Sequence, residues 1–175
     1  MSTDIPQHVA VRSRRISQDE QAEQHHKHFA QILQRVRAAD KTLQTLDLEH
    51  HYLTTQHVQA LIQTLHHNYI VLTLNLEANE IDDDVATSLA SMLANNDTLL
   101  TIYLEGNRIG DKGAIALATE LMKSNGTLLR LDLSENKVGV MGLRALAKAV
   151  VKRPDLNVEV NDDDNTLSTF VEALQ

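Results

Sequence analysis

Apolar residues in this chain recur every 28 or 29 positions, and they do so in two separate patterns. The frame L-x-x-L-x-L-x-x-N-x-[LIV] fits four successive units. They are Leu43, Leu46, Leu48, His51 and Leu53; Val71, Leu74, Leu76, Asn79 and Ile81; Leu99, Ile102, Leu104, Asn107 and Ile109; and Leu128, Leu131, Leu133, Asn136 and Val138. A fixed period of this length marks a stacked solenoid, because no single unit can bury its own apolar face.

The second half of each unit stays in register. Leu61, Leu89, Leu117 and Leu146 share one position; Ile62, Ala90, Ala118 and Ala147 the next; Leu65, Leu93, Leu121 and Val150 a third. Spacing of i, i+1, i+4 is that of a helix with one buried face. Thr54 or Thr55, Asp82 to Asp84, and Asp111 stand where helix N-caps are expected. In the first half, Leu-x-Leu sends two leucines to one side of a strand and the residue between them to the other. Each unit therefore reads as strand, turn and helix. The fold class is α/β: a right-handed β-α superhelix with parallel strands on a concave face and helices on a convex one. The Asn column is expected to hydrogen-bond backbone in the turns, and His51 takes its place in the first unit.

Both ends carry expected covers, since a terminal unit exposes core leucines. Residues 1–15 lack an apolar period and read as a disordered tail. Residues 16–40 read as a capping helix, with the capping box Ser17-x-x-Glu20 and a stripe of Ala22, Phe29, Leu33 and Val36 beside Ile32. Residues 41–156 hold the four units. Residues 157–175 form a truncated unit and a C-terminal helix bearing Leu167, Phe170, Val171 and Leu174, with Asp163 at the Asn position.

Composition narrows function. Hydrophobic residues are 42% and aromatics 3%, so the core is aliphatic. With no cysteine there is no disulfide framework and no thiol nucleophile. The net charge of -8 disfavours nucleic acid and anionic membranes and favours a basic protein partner. Arg12, Arg14 and Arg15 form the one basic cluster. No apolar run reaches the roughly 18 residues that span a membrane, and the N-terminus has no apolar signal-peptide core. A cytoplasmic location is expected, or delivery into a host cytosol by a route other than Sec. No cofactor and no enzymatic activity are expected, since no nucleophile elbow, phosphate loop or dinucleotide-binding glycine motif is present.

The units LTLNLEANEIDDDVATSLASMLANNDTL and LTIYLEGNRIGDKGAIALATELMKSNGTL resemble the ribonuclease-inhibitor-like class of leucine-rich repeats. The resemblance covers residues 40 to 160 and implies a leucine-rich-repeat solenoid. Members of the class include nuclease inhibitors, GTPase-activating proteins, actin-capping domains, innate sensors and bacterial effectors. The small size and His/Gln-rich flanks resemble bacterial leucine-rich-repeat proteins, some of which act inside host cells. The cysteines of the ribonuclease inhibitors are missing.

Outward strand positions form three columns: Glu49, Glu77, Glu105, Ser134; Asp47, Asn75, Tyr103, Asp132; and Thr45, Thr73, Thr101, Arg130. Carboxylates on neighbouring strands, about 4.8 Å apart, repel by roughly 1–3 kcal/mol per pair. A partner's Lys or Arg would relieve that repulsion, and Tyr103 could anchor the contact. The expected binding residues are Asp47, Glu49, Asn75, Glu77, Tyr103, Glu105, Arg130, Asp132 and Ser134. Their solvated alternative is a polar face that only prevents aggregation.

Two further readings remain. Arg108 and Lys137 on the rim could regulate an enzyme such as a GTPase. All nine histidines (His8, His25, His26, His28, His50, His51, His57, His66 and His67) lie in the first 67 residues. They could hold a metal between cap and first repeat or sense pH, although no metal-ligand spacing is present and no metal is expected. The runs Asp82–Asp84 and Asp162–Asp164 lack calcium-loop spacing and suit helix N-termini.

Overall fold

The computed structural model describes residues 18–160 and 166–175, with the side chains of residues 18–26 and of Thr166 outside the description. The expectations for residues 1–15, the Ser17–Glu20 capping box, Ala22, His8, His25, His26 and Asp162–Asp164 lie outside the described residues. The elements alternate: α1 (Gln18–Arg37), β1 (Thr45–Asp47), α2 (Thr55–Leu65), β2 (Thr73–Asn75), α3 (Asp83–Leu93), β3 (Thr101–Tyr103), α4 (Asp111–Lys123), β4 (Arg130–Asp132), α5 (Val140–Lys152), β5 (Asn157–Glu159) and α6 (Thr166–Glu172). The five strands form one parallel sheet in sequence order. Thr45, Thr73, Thr101, Arg130 and Asn157 pair in one row, and Asp47, Asn75, Tyr103, Asp132 and Glu159 in another. This is the α/β leucine-rich solenoid that the two periodicities imply.

The core follows the repeat frame. Leu46, Leu74, Ile102 and Leu131, the middle residues of four strands, are buried, as are Leu61, Leu89, Leu117 and Leu146 of the facing helices. Phe29, Ile32, Leu33 and Val36 bury the inner face of α1 against the same core. At the other end Leu167 packs on it in part, while Leu174 lies beyond α6 and is exposed.

Three-residue strands supply few ladder bonds, so side chains bind the repeats together. Asn107 donates to the carbonyls of Leu104 and Glu105 in its own turn and to Leu76 of the preceding repeat, and its oxygen accepts from Ile81 N–H. Asn79 and Asn136 repeat the arrangement one unit earlier and later. His51 reproduces one of these bonds: its Nδ1–H donates to Glu49 O at 2.7 Å, as Asn79 donates to Glu77 O at 3.0 Å. The bond fixes the proton on Nδ1, because a carbonyl can only accept. The residue before each column member adopts positive φ (His50, Ala78, Gly106 and Glu135), and only one of the four is glycine.

A second asparagine column was not anticipated. Asn68, Asn96 and Asn125 close the helix-to-strand turns. Asn96, for example, donates to Leu65 O and Asn68 O of the preceding repeat and accepts from Thr98 and Leu99 N–H. The column ends in Arg153, whose guanidinium donates to the carbonyls of Asn125, Gly126 and Leu128. At the front end Asp40 caps its own turn by accepting from Thr42 N–H.

The helix caps differ from expectation in one respect. Thr54 and Asp82 cap α2 and α3 as expected. Asp111, however, is the first residue of α4, whose N-cap is Gly110. Asp83 reaches forward to accept from Gly110 and Gly113 N–H, both at 2.8 Å, and Asp111 does the same for Gly139 and Gly142. Each aspartate caps the next repeat's helix. A Cβ on Gly113 would stand 2.8 Å from Ala86 Cβ and from Asp83 Oδ1, so the close approach requires glycine.

Asn107→Ala should cost about 2–4 kcal/mol in urea unfolding, because Ile81 N–H and three carbonyls lose a buried partner. His51→Ala should cost clearly less, since the bond from His51 to Glu49 O stays within one turn, whereas Asn107 also bonds Leu76 O and Ile81 N–H of the preceding repeat. Equal losses would contradict an inter-repeat role for the asparagine.

Candidate functional site

The concave face is built from residues that flank each buried strand centre. Register carries the pairing beyond the strands: His50 N–H donates to Glu77 O, Ala78 N–H to Glu105 O and Gly106 N–H to Ser134 O. These bonds hold Glu49, Glu77, Glu105 and Ser134 in one row across four repeats, as the repeat frame requires.

The middle row has a structural duty that the sequence reading missed. Asp47, Asn75 and Asp132 each accept from the N–H two residues on, at Glu49, Glu77 and Ser134. Such Asx turns bend the chain out of the strand. Asp132 is only 6% exposed, so its carboxylate serves the turn more than the surface. Tyr103 cannot make this bond, and it is the row's one aromatic member.

Charge divides the face into two zones. Toward β5, Arg130 lies over the Tyr103 ring, 5.2 Å from its centroid, and pairs with Glu159 at 3.0 Å. Asn157 donates to the other Glu159 oxygen. Glu159 and Asn157 are fifth-row members outside the expected set, although Asn157 and Glu159 continue the two columns by register. This zone is neutralised internally, and Arg130 is already engaged.

Toward β1 the balance is acidic. Among the described residues Glu77 and Glu105 form no ion pair, and Glu49 lies 3.4 Å from the exposed His50, which is charged only when protonated. Burial raises the Glu77 pKa above its ordinary 4.5, and the carboxylates of Glu105, Glu49, Asp132 and Asp47 raise it further. Glu77 is the electrostatic centre of the ladder.

The rim residue Arg108 donates to Glu80 of the preceding repeat at 2.7 Å, and Lys112 to Asp84 at 2.6 Å. That bond lowers the Asp84 pKa and raises that of Lys112. Arg108 is thus held along the repeat axis. Lys137 continues the rim one repeat on.

The histidines scatter by role. His28 stacks on His51 with centroids 5.7 Å apart, His57 meets Phe29 at 4.9 Å, and His66 meets His67 edge-on at 4.7 Å. His57 also closes a capping box on Thr54, where its Nδ1 accepts from Thr54 N–H. Among the described residues no three histidine or acidic side chains converge as metal ligands. No described helix is long and apolar enough to cross a membrane.

Comparison with known proteins agrees with this architecture. A family model described as Leucine Rich repeat matches residues 95–118 and 124–147. No curated protein matches by sequence. A solved structure titled Leiomodin-1 Actin-Binding Site 2 superposes with a TM-score of 0.74 and 24% identity, covering 83% of this chain and 86% of that one. The tropomodulin C-terminal domain of Caenorhabditis elegans superposes with a TM-score of 0.72 and 13% identity, covering 83% and 89%. The fold is a leucine-rich-repeat solenoid. The ribonuclease-inhibitor-like subtype finds no separate support in these matches.

Because the folded-state pKa of Glu77 lies above its unfolded value, the folded chain holds a proton there more readily. Its stabilising contribution is complete below about pH 4.5 and is lost as pH rises through the folded pKa. Glu77→Gln should therefore raise thermal stability at pH 7, by on the order of 0.5 kcal/mol. The gain should vanish in acid. A variant less stable than the parent at pH 7 would contradict the unrelieved repulsion.

Proposed function

We propose that this chain is a non-catalytic protein-binding module that captures a basic segment of a partner on the acidic half of its concave face. The observation that carries the reading is the row Glu49, Glu77 and Glu105, held in backbone register, in which Glu77 and Glu105 lack a cation among the described residues. Asp47 and Asn75 contribute at the row's inner edge, and Tyr103 offers an aromatic border beside Arg130. Ser134 closes the row where charge ends. Rigid repeats present these groups without ordering cost at the moment of binding, which favours affinity. Opposite charge steers encounter and sets salt sensitivity.

The leiomodin likeness makes actin the first defined partner to test under this reading. Co-sedimentation with actin filaments would identify it. The style of small bacterial leucine-rich-repeat effectors would place the same face in a host cytosol. Regulation of a GTPase through Arg108 has less support, because that guanidinium is engaged by Glu80.

Combining Glu49→Lys, Glu77→Lys and Glu105→Lys should weaken binding of a lysine- and arginine-rich peptide at least about tenfold, as close charge pairs turn repulsive. Circular dichroism melting should show the fold retained. Unchanged peptide affinity in a folded variant would overturn the proposal.

A further inference from the structure

Helix α2 differs from every other helix of the chain in carrying no formal charge. Between Glu49 and Glu77 there is no Asp, Glu, Lys or Arg. By contrast α3 bears Asp83 and Asp84, α4 bears Asp111, Lys112, Glu120 and Lys123, and α5 bears Arg144, Lys148 and Lys152. Gln56, Gln59 and Gln63 are exposed on one outward stripe of α2, and the exposed His67 follows just past its end.

This helix also stands apart from its neighbours. α4 seats on α3, and α5 on α4, through glycine. A Cβ on Gly142 would stand 2.7 Å from Val138 Cγ1 and 3.0 Å from Ala114 Cβ, and one on Gly113 would crowd Ala86 in the same way. One repeat earlier that position holds Val85, so α3 cannot close on α2 as tightly. Nor does α2 have an aspartate that reaches forward, because Thr55 stands where Asp83 and Asp111 stand. A groove of about 420 Å³ results between α2 and α3, over the buried Ile62 and Met92. A second groove of about 430 Å³ opens between the ends of α1 and α2, beside Val36 and the exposed Tyr69. Gln63 and His67 line both grooves and form the ridge between them. On the far wall Ser88 and Ser91 donate their hydroxyls back to Asp84 O and Thr87 O.

Charge selects the occupant. Each chain has a net charge of -8, so two copies repel wherever acidic surfaces meet. Of the residues lining the two grooves only Arg37 has a formal charge, and it is a cation. This face therefore brings no carboxylate of its lining against another. Its form is self-complementary too. A ridge flanked by two grooves of similar volume matches its own copy about a two-fold axis, each ridge entering a groove of the other. Glutamine both donates and accepts, so a stripe of glutamines pairs with itself. The helix is about 16 Å long and its neighbours stand about 10 Å away. The face thus offers about 400–500 Å² per copy, near the lower limit of a specific interface.

We propose that the α2 face, with the Gln63 and His67 ridge and the groove on each side of it, is the surface through which two copies of this chain associate. Both concave acidic rows stay open in such a pair, because α2 lies on the opposite side of the solenoid. The inference does not depend on what those rows bind.

Sedimentation equilibrium of the full chain, at about pH 8 where histidine is ordinarily neutral, tests this. The mass should rise from that of one chain toward twice it, with a dissociation constant on the order of 10–100 μM, as suits so small an interface. Association should tighten between about 0.05 M and 0.5 M salt, because screening removes the repulsion between acidic chains. Gln63→Glu with His67→Glu should weaken it at least about tenfold, as like charges meet across the axis. Lys148→Gln with Lys152→Gln changes the net charge equally, away from the face, and should leave it within about twofold. Amide shifts that depend on concentration should centre on Gln59, Gln63 and Tyr69. A single-chain mass up to about 1 mM, far above that range, would overturn the proposal. So would association that weakens with salt, equal loss in the two variants, growth beyond two copies, or shifts centred on Glu77 and Glu105.

Discussion

Side-chain hydrogen bonds to the backbone of the preceding repeat are the constraint on which the rest of this molecule depends. Five strands of three residues cannot hold a parallel sheet by ladder bonds alone, and the turns between them leave carbonyls and N–H groups buried. Two asparagine columns answer that need, one where strand leads to helix and one where helix returns to strand. Each asparagine bonds backward as well as locally, so repeat geometry is copied from one unit to the next. The forward reach of Asp83 and Asp111 to the next helix adds a third tie. Stability in such a stack belongs largely to the interfaces between neighbours.

The same ties shape the concave face. The Asx turns of Asp47, Asn75 and Asp132 hold the chain where the outer row leaves each strand. Glu49, Glu77 and Glu105 are therefore aligned as a consequence of fold maintenance, and their mutual repulsion persists because backbone register prevents them from parting. The Tyr103, Arg130 and Glu159 group shows the contrast: there the chain neutralises its own surface. The concave face thus has one satisfied half toward β5 and one acidic, unneutralised half toward β1.

Much of this was legible in the sequence because the solenoid repeats its physics every 28 or 29 residues. Leucine periodicity located strands, helices and core, and the column arithmetic placed Thr45, Thr73, Thr101 and Arg130 in one row, as the pairing does. The second asparagine column was visible in principle. Asn68, Asn96 and Asn125 each stand three residues before a core position, but neighbouring polar residues in the turns mask them. The cap exchange at Asp111 was not legible, because a sequence pattern cannot tell a cap of its own helix from a cap of the next. Nor could spacing reveal that Arg130 covers Tyr103 or that Asp132 is buried; both depend on side-chain packing between repeats.

The central claim is that Glu77 and its neighbours wait for a cation. Titration calorimetry of an arginine-rich peptide in buffers of differing ionisation enthalpy, at about pH 5, measures it directly, since a raised carboxylate is part-protonated there. Binding should release protons to the buffer as the partner's charge restores Glu77 toward its ordinary range, and Glu77→Gln should remove most of that release. Binding with no proton release, or release unchanged in Glu77→Gln, would contradict the account.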